Sequence, residues 1–351
     1  MRLMFLKKSI FTLKSVKVIC PLLLILVLLW QCNTEKGKGI IMTVNGPVPV
    51  DQMGICLTHE HILVDFIGAD SVSDSRWDRT KVINKALPYL RRIRELGCRT
   101  FIECTPAFLG RDPVILKSLA DSTGLHILTN TGFYGAHDNK FIPAFAFSES
   151  PEQLSGRWVN EWEQGIGNTG IKPGFIKIAV NSDSLSEFHK KLVTAAALTH
   201  LRTGLTIASH TGPAVPAFQQ LEILEKAGVA PDAFIWVHAM NEKDPSNLVK
   251  AAQMGAWISL DKLDDNNVDK HIILIKLLKQ NNLLNKVLLS HDAGWYDPAK
   301  ENGGEYRGYT TLFEKLIPAL RKENFTEKEI NQLLVINPAR AFEVKIRLKK
   351  M

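Results

Sequence analysis

From Ile40 onward, short apolar runs alternate with stretches in which apolar residues recur every three or four positions. Eight of the runs predict strands: Gly54–Thr58, Thr100–Thr105, His126–Thr131, Phe175–Val180, Thr206–His210, Phe234–His238, Trp257–Leu260 and Val287–Ser290. Between them, Asp112–Asp121, Ser184–Arg202, Val215–Ala227, Pro245–Met254, Lys270–Leu284 and Thr310–Lys322 carry the spacing that gives a helix one apolar face. Gly97, Gly124, Gly204, Gly228 and Gly255 fall where helix C-terminal stops are expected.

Strands alternating with helices predict a parallel sheet, and eight such repeats closing on themselves make a (β/α)8 TIM barrel. An open doubly wound sheet is the alternative. It usually brings a phosphate-binding turn between its first strand and helix, and the one GxGxxG here, Gly165-Ile166-Gly167-Asn168-Thr169-Gly170, precedes a strand instead. That segment reads as a loop. No GxSxG elbow is present to suggest an α/β-hydrolase.

Composition bounds the picture further. The chain has 351 residues, 45% hydrophobic and 23% charged, which is ordinary for a globular protein with a full core. Its net charge of +7 would suit nucleic acid, but Arg2, Lys7, Lys8, Lys14 and Lys17 all precede the first long apolar run. Without those five charges the excess is slight. No basic stripe with interleaved aromatics follows, so nucleic acid is not an expected partner.

The basic start leads into an apolar run, Leu22 to Trp30, and then Cys32. The run has the length of a signal-peptide core and falls short of the roughly 20 residues of a membrane span. The segment resembles a bacterial lipoprotein signal, with Cys32 lipidated, although Gln31 is larger than the residue usual at that place. An uncleaved anchoring helix is the other reading. The expected organisation is a signal peptide over 1–31, a polar tether over 32–41, a barrel over 42–346 and a tail over 347–351. The protein is then exported, as a periplasmic or outer-membrane-anchored lipoprotein that meets membrane only through its N-terminal lipid or leader. Cys56, Cys98 and Cys104 remain after cleavage. They are odd in number and lack metal spacing, so buried thiols are expected. Cys98 and Cys104 would lie about 20 Å apart along one strand, beyond disulfide reach.

The candidate chemistry lies where histidines meet strand ends. Of ten histidines, His59 and His61 close the first strand, His210 the fifth and His238 the sixth, while Asp292 follows the eighth. Residues two apart on a strand share a face, so His59 and His61 point the same way and Glu60 is expected to turn outward. Singly, each has an ordinary explanation: a polar strand end, a satisfied core histidine, a helix N-cap. Together, at the ends that form the catalytic face of a barrel, four imidazoles and a carboxylate suit zinc or another first-row divalent metal.

The chain resembles the phosphotriesterase family of the amidohydrolase superfamily. The resemblance is carried by Val44-Asn45-Gly46-Pro47-Val48-Pro49 with Leu57-Thr58-His59-Glu60-His61, then Gly170-Ile171-Lys172-Pro173-Gly174-Phe175-Ile176-Lys177. Ser209-His210-Thr211-Gly212, Val237-His238, Leu289-Ser290-His291-Asp292 and Asn337-Pro338-Ala339 complete it, in order from Met42 to Phe342. It implies a binuclear site at the C-terminal face of the barrel, holding two divalent metal ions, by default Zn2+. One takes His59, His61 and Asp292, the other His210 and His238. Lys177, a costly residue for a buried strand if unpaired, is implied to be N6-carboxylated and to bridge the metals; a lysine paired with a buried acid is the alternative. A bridging hydroxide is implied as nucleophile and Asp292 as proton acceptor.

For substrate, Lys262 occupies the position of the histidine of an Asp–His proton shuttle in organophosphate-degrading members, and Asn241 that of the aspartate. Related lactonases have Arg at the Lys262 position and a tyrosine where Tyr134 stands. The expectation is therefore a hydrolase of lactones or other carboxylic esters, with phosphoric esters as the alternative and a catalytically silent metal-bearing binding protein as a third. Tyr134, Lys262 and Trp295 are the expected substrate-binding residues, and the Gly303–Arg307 loop is expected to line the same pocket. For assembly the resemblance implies a homodimer, with no interface legible in the chain.

Overall fold

The computed structural model describes residues 39–350. The leader, Cys32 and most of the tether lie outside them. A hairpin of β1 (Ile40–Thr43) and β2 (Gly46–Pro49) precedes the first barrel strand. The barrel strands are β3 (Ile55–Glu60), β4 (Cys98–Glu103), β5 (His126–Leu128) continued by β6 (Asn130–Thr131), β7 (Phe175–Ala179), β8 (Ile207–His210), β9 (Phe234–Val237), β10 (Trp257–Leu260) and β11 (Val287–Leu289). Neighbours pair in parallel from β3 to β5 and from β6 to β11. The seam between β11 and β3 is closed by bonds at the strand tops. Asp292 N–H donates to His59 O at 3.1 Å and His61 N–H to Ala293 O at 2.9 Å, and Thr58 Oγ1 donates to Leu289 O at 3.1 Å. The TIM barrel expected from the alternation is the fold.

The helices predicted from periodicity are present as α2 (Pro113–Thr123), α4 (Glu187–Thr203), α5 (Ala214–Lys226), α6 (Ser246–Met254), α7 (Val268–Gln280) and a π-to-α run ending in α8 (Ile317–Lys322). Among those that escaped the pattern reading, the two longest are α1 (Arg79–Glu95) and α3 (Pro151–Gln164). In α1, Pro88 interrupts a strongly cationic stretch, yet Val82, Ala86, Leu90 and Ile93 form a buried stripe and the Asp78 carboxylate caps Thr80 and Lys81 N–H. In α3, Ser150 and Gln153 form a reciprocal cap ahead of Pro151. The Gly165–Gly170 segment is the loop expected of it, and the three cysteines are free and buried.

Strand residues sort by parity. Cys56, Ile102, Leu128, Phe175, Ala208, Ile235, Trp257 and Leu288 fill the barrel interior with Ile41, Met53 and Phe342. Their neighbours Leu57, Phe101, Ile127, Ile176, Ile207, Trp236, Ile258 and Leu289 pack outward on the helices. Gly132 lets β6 approach β7. A Cβ there would lie 2.1 Å from the Lys177 carbonyl oxygen, at a φ of +116°.

Candidate metal centre

Continuing the interior parity to the strand tops puts Lys177, His210, Asp261 and Asp292 inside. It does not put His59, His61 or His238 there, and in each case the backbone departs from regular extension. The register against β4 shifts between Leu57 and Glu60, a bulge that turns His59 and His61 toward the interior. His238 adopts a left-handed conformation, φ 61° and ψ 32°. Asp292 has φ 51°, and no helix begins directly after it, so it is not a helix N-cap. Such conformations cost energy and persist where surrounding contacts hold them, often at functional sites.

The result is one cavity of about 450 Å3 lined by His59, His61, Lys177, His210, His238 and Asp292, together with Tyr134, Lys262 and Trp295. The six expected metal ligands and the three expected substrate-binding side chains therefore open onto the same space. His59, His61 and Asp292 offer ligand atoms within 4.8 Å of one another. His61 Nε2 is 3.1 Å and His59 Nε2 3.6 Å from Asp292 Oδ1. His238 Nε2 lies 2.9 Å from His210 Nδ1, and Tyr134 Oη is 3.0 Å from the same nitrogen. Val64, Phe66, Leu109 and Phe141 make the apolar wall.

Two buried carboxylates organise these groups, and neither role was foreseen. Asp261, fully buried, accepts from His59 Nδ1 at 2.9 Å and from His238 Nδ1 at 2.7 Å. Ser259 Oγ and the His238 N–H also donate to it, at 2.7 and 3.2 Å. With Nδ1 protonated, both rings present an Nε2 lone pair to the cavity. A signal existed: Asp261 ends the apolar strand Ile258-Ser259-Leu260, as the histidines end theirs. Glu60 was expected to face outward. It does leave the interior, but it is completely buried, accepting from Ser290 Oγ, His291 N–H, His291 Nδ1 and Ala293 N–H at 2.6–3.0 Å. Barrel closure brings the last strand's loop over Glu60, so the outward face of β3 becomes interior to the protein. His291, whose Nε2 accepts from Leu312 N–H, is part of that clamp.

The Gly303–Arg307 loop does not line the main cavity, contrary to expectation. Tyr306 turns inward to bond Tyr309 Oη at 2.6 Å, and Tyr309 Oη donates to His61 O at 2.7 Å. This anchor turns Glu305 and Arg307 toward a neighbouring recess of about 290 Å3 behind Trp295. Asn241 is exposed and lies outside the cavity lining.

The electrostatics favour ligand-ready forms. Burial, with the charge of Lys177, pushes the His59 imidazole down to about 4, and burial with the neighbouring His238 holds His210 well below its usual range. Burial works against the Asp292 carboxylate, but the His61 hydrogen bond and surrounding imidazoles hold it below the usual range. Burial keeps the Tyr134 phenol neutral. Lys177 Nζ is buried without a hydrogen-bond partner. An orphaned amine among imidazole nitrogens and one carboxylate is a donor set that fits divalent metal ions.

A parallel barrel with histidines and an aspartate gathered at its C-terminal rim defines a hydrolase of the amidohydrolase superfamily. The phosphotriesterase family model matches residues 39–342, and the chain belongs to that family. It is 30% identical over 297 residues to a phosphotriesterase homology protein of Escherichia coli, covering 84% of this chain and 99% of that one. It is 24% identical to an aryldialkylphosphatase of Saccharolobus solfataricus (83% and 95% covered). It is 26% identical to the human N-acetyltaurine hydrolase (86% and 97% covered). A mutant organophosphorus hydrolase from Deinococcus radiodurans superposes with a TM-score of 0.76 at 25% identity, over 86% of this chain and 97% of that one.

Proposed function

We propose that this hydrolase holds two divalent metal ions, zinc by default, and cleaves lactones or other carboxylic esters. The observation that carries the reading is Lys177, an unpartnered buried amine in a cavity with four histidines and Asp292. Carboxylation by CO2, with release of a proton, converts that liability into a carbamate ligand. His59, His61 and Asp292 would hold one ion, His210 and His238 the other, and Lys177 carbamate both. Bound ions of this kind polarise a substrate oxygen and make water a nucleophile at neutral pH.

The chain's own groups do the rest. Asp261 fixes the tautomers of His59 and His238. The Asp292 carboxylate, held ionised, accepts the proton lost by the attacking water. Tyr134, a neutral phenol beside His210, donates a hydrogen bond to the acyl oxygen. Val64, Phe66, Leu109 and Phe141 receive an apolar acyl chain, and Lys262 places a positive charge at the mouth. No side-chain nucleophile is needed. The names of the relatives from Saccharolobus and Deinococcus support phosphoric esters as the second reading.

The test is proton release from a panel of lactones and phosphoric esters by the metal-loaded protein, with Asp292→Asn alongside. Lactone turnover that falls by at least about a thousandfold in the variant supports the reading, a general base contributing roughly 10²–10⁴-fold. Turnover confined to phosphoric esters moves the second reading forward. Two bound metals with no turnover on any ester leave the binding-protein alternative.

A further inference from the structure

The end of the barrel opposite the metal centre carries a surface that the hydrolase reading leaves unused. The last residues run across it as an extended segment. Val344 N–H donates to Ile40 O, Lys345 N–H to Gly204 O and Lys349 N–H to Gly228 O, while Ala230 N–H donates to Arg347 O. Arg347 fixes which side faces in: its guanidinium is buried and donates to the Thr206 hydroxyl and the Arg340 carbonyl. Side chains alternate along an extended segment, so Ile346 and Leu348 are forced outward, 46% and 62% exposed. Lys345, Lys349 and Lys350 are exposed with them.

Two of the acids nearby are matched, and a third, Glu343, lies close enough to act on Arg347. Asp232 lies 3.9 Å from Arg347 Nε and Glu225 lies 3.4 Å from Lys349 Nζ. Among the described residues Lys345 and Lys350 have no ion-pair partner. Met254, 38% exposed, borders the same recess, as does Lys286. Pro231, Gly255 and Lys286 lie just before β9, β10 and β11, which places the patch at the strand N-termini, away from the catalytic mouth. An exposed apolar pair beside two lysines that lack an acid is a liability unless something covers it.

The chain itself indicates what covers it. The described residues begin at Gly39, and Ile40 is hydrogen-bonded to Val344 at the start of this segment. Cys32, read from sequence as the lipidated residue, is only seven positions earlier. A tether that short, at ~3.5 Å per residue, cannot hold the barrel more than about 25 Å from its anchor. Among the described residues no helix is long and apolar enough to cross a membrane, so contact here is peripheral.

We propose that this face docks on an anionic phospholipid surface, with Ile346 and Leu348 entering the headgroup layer and Lys345, Lys349 and Lys350 meeting lipid phosphates. The catalytic mouth then opens toward water. The leader reading brings the face near a membrane, while its exposed apolar pair and lysines stand independently of that reading and of the substrate. Each lysine near such a surface is worth about fivefold in binding, and the effect falls with salt.

The test reconstitutes the full chain with phosphatidylcholine vesicles and with vesicles containing phosphatidylglycerol. It measures flotation and the rate at which each lysine reacts with an amine-acetylating reagent. Expected is several-fold protection of Lys345, Lys349 and Lys350 only on phosphatidylglycerol, with Lys262 at the mouth unchanged. Lys345→Gln with Lys350→Gln loses about twenty-five-fold in phosphatidylglycerol affinity and leaves ester turnover unaltered. Flotation on phosphatidylcholine reports the anchor alone. If that fails while charge-dependent flotation on phosphatidylglycerol survives, the leader reading is wrong and the docking face stands. Equal labelling on both vesicles, or flotation with neither, overturns the proposal.

Discussion

Replacing Asp261 by asparagine tests whether one carboxylate serves two ligands, and the hydrogen bonds say which ligand is lost. Three donors converge on Asp261 Oδ2: Ser259 Oγ, His59 Nδ1 and the His238 N–H. Only His238 Nδ1, at 2.7 Å, donates to Oδ1. An asparagine carbonyl therefore takes the Oδ2 place, and its amide N–H2 confronts the proton on His238 Nδ1. Two donors cannot share that contact, so His238 moves its proton to Nε2 and surrenders the lone pair it turns toward the cavity. Loss of such an orienting partner weakens metal binding by about 10–100-fold, or roughly 1.4–2.8 kcal/mol. The expected titration of metal-free Asp261→Asn with zinc against a chromophoric chelator is split. One ion binds within a fewfold of wild type and the second, served by His210 and His238, binds 10–100-fold more weakly (about that range by the same rule). Near-UV circular dichroism establishes that the variant is folded. Two sites as tight as wild type in a folded variant would refute the tautomer argument. Equal weakening of both would refute the assignment of Oδ2 to the asparagine carbonyl.

Other consequences follow from the same contacts. Lys177→Met removes an unpartnered buried amine, so the metal-free variant is expected to melt at or slightly above wild type, about 2 °C higher per kcal/mol gained. It should also no longer respond to bicarbonate in metal loading; a drop of several degrees would show that Lys177 has a stabilising partner. In the metal-free protein, His59 is held down at about 4 against an ordinary 6.5. Above pH 6.5 neither folded nor unfolded chain carries that proton. Below it the unfolded chain takes one up first, so stability drains as pH falls from 6.5 to 4, by about 3 kcal/mol in all. Urea unfolding across that window measures the loss, which should shrink in His59→Gln; an identical pH dependence in that variant would remove His59 as the cause. Gly132→Ala drives a Cβ to 2.1 Å from the Lys177 carbonyl and should cost more than about 4 kcal/mol, a size reserved for severe disruption. Thermal unfolding checks it, and a variant of near wild-type Tm would mean that β6 can retreat from β7.

Much of this molecule was readable along the chain because its signals are local. Eight apolar runs and the helical spacing between them determine a parallel barrel, and polar residues stopping apolar strands mark the catalytic rim. The periodicity missed α1, where Pro88 and a run of cations obscure four buried residues, and α3, whose start is set by a cap instead of a stripe. The rim was less legible than the strands. Parity by itself would turn His238 outward, and only its left-handed backbone brings it in. Asp261 obeyed the same strand-end rule as the histidines, yet its task of holding two rings from different strands exists only once β3, β9 and β10 are curved round one axis. Glu60 is outward on its own strand and buried in the protein, because closure folds the last strand's loop over it. Sequence determined which residues stand at strand ends. Tertiary structure decided which of them face each other, since closure of a barrel is a relation among strands more than two hundred residues apart at the seam, from Thr58 to Leu289.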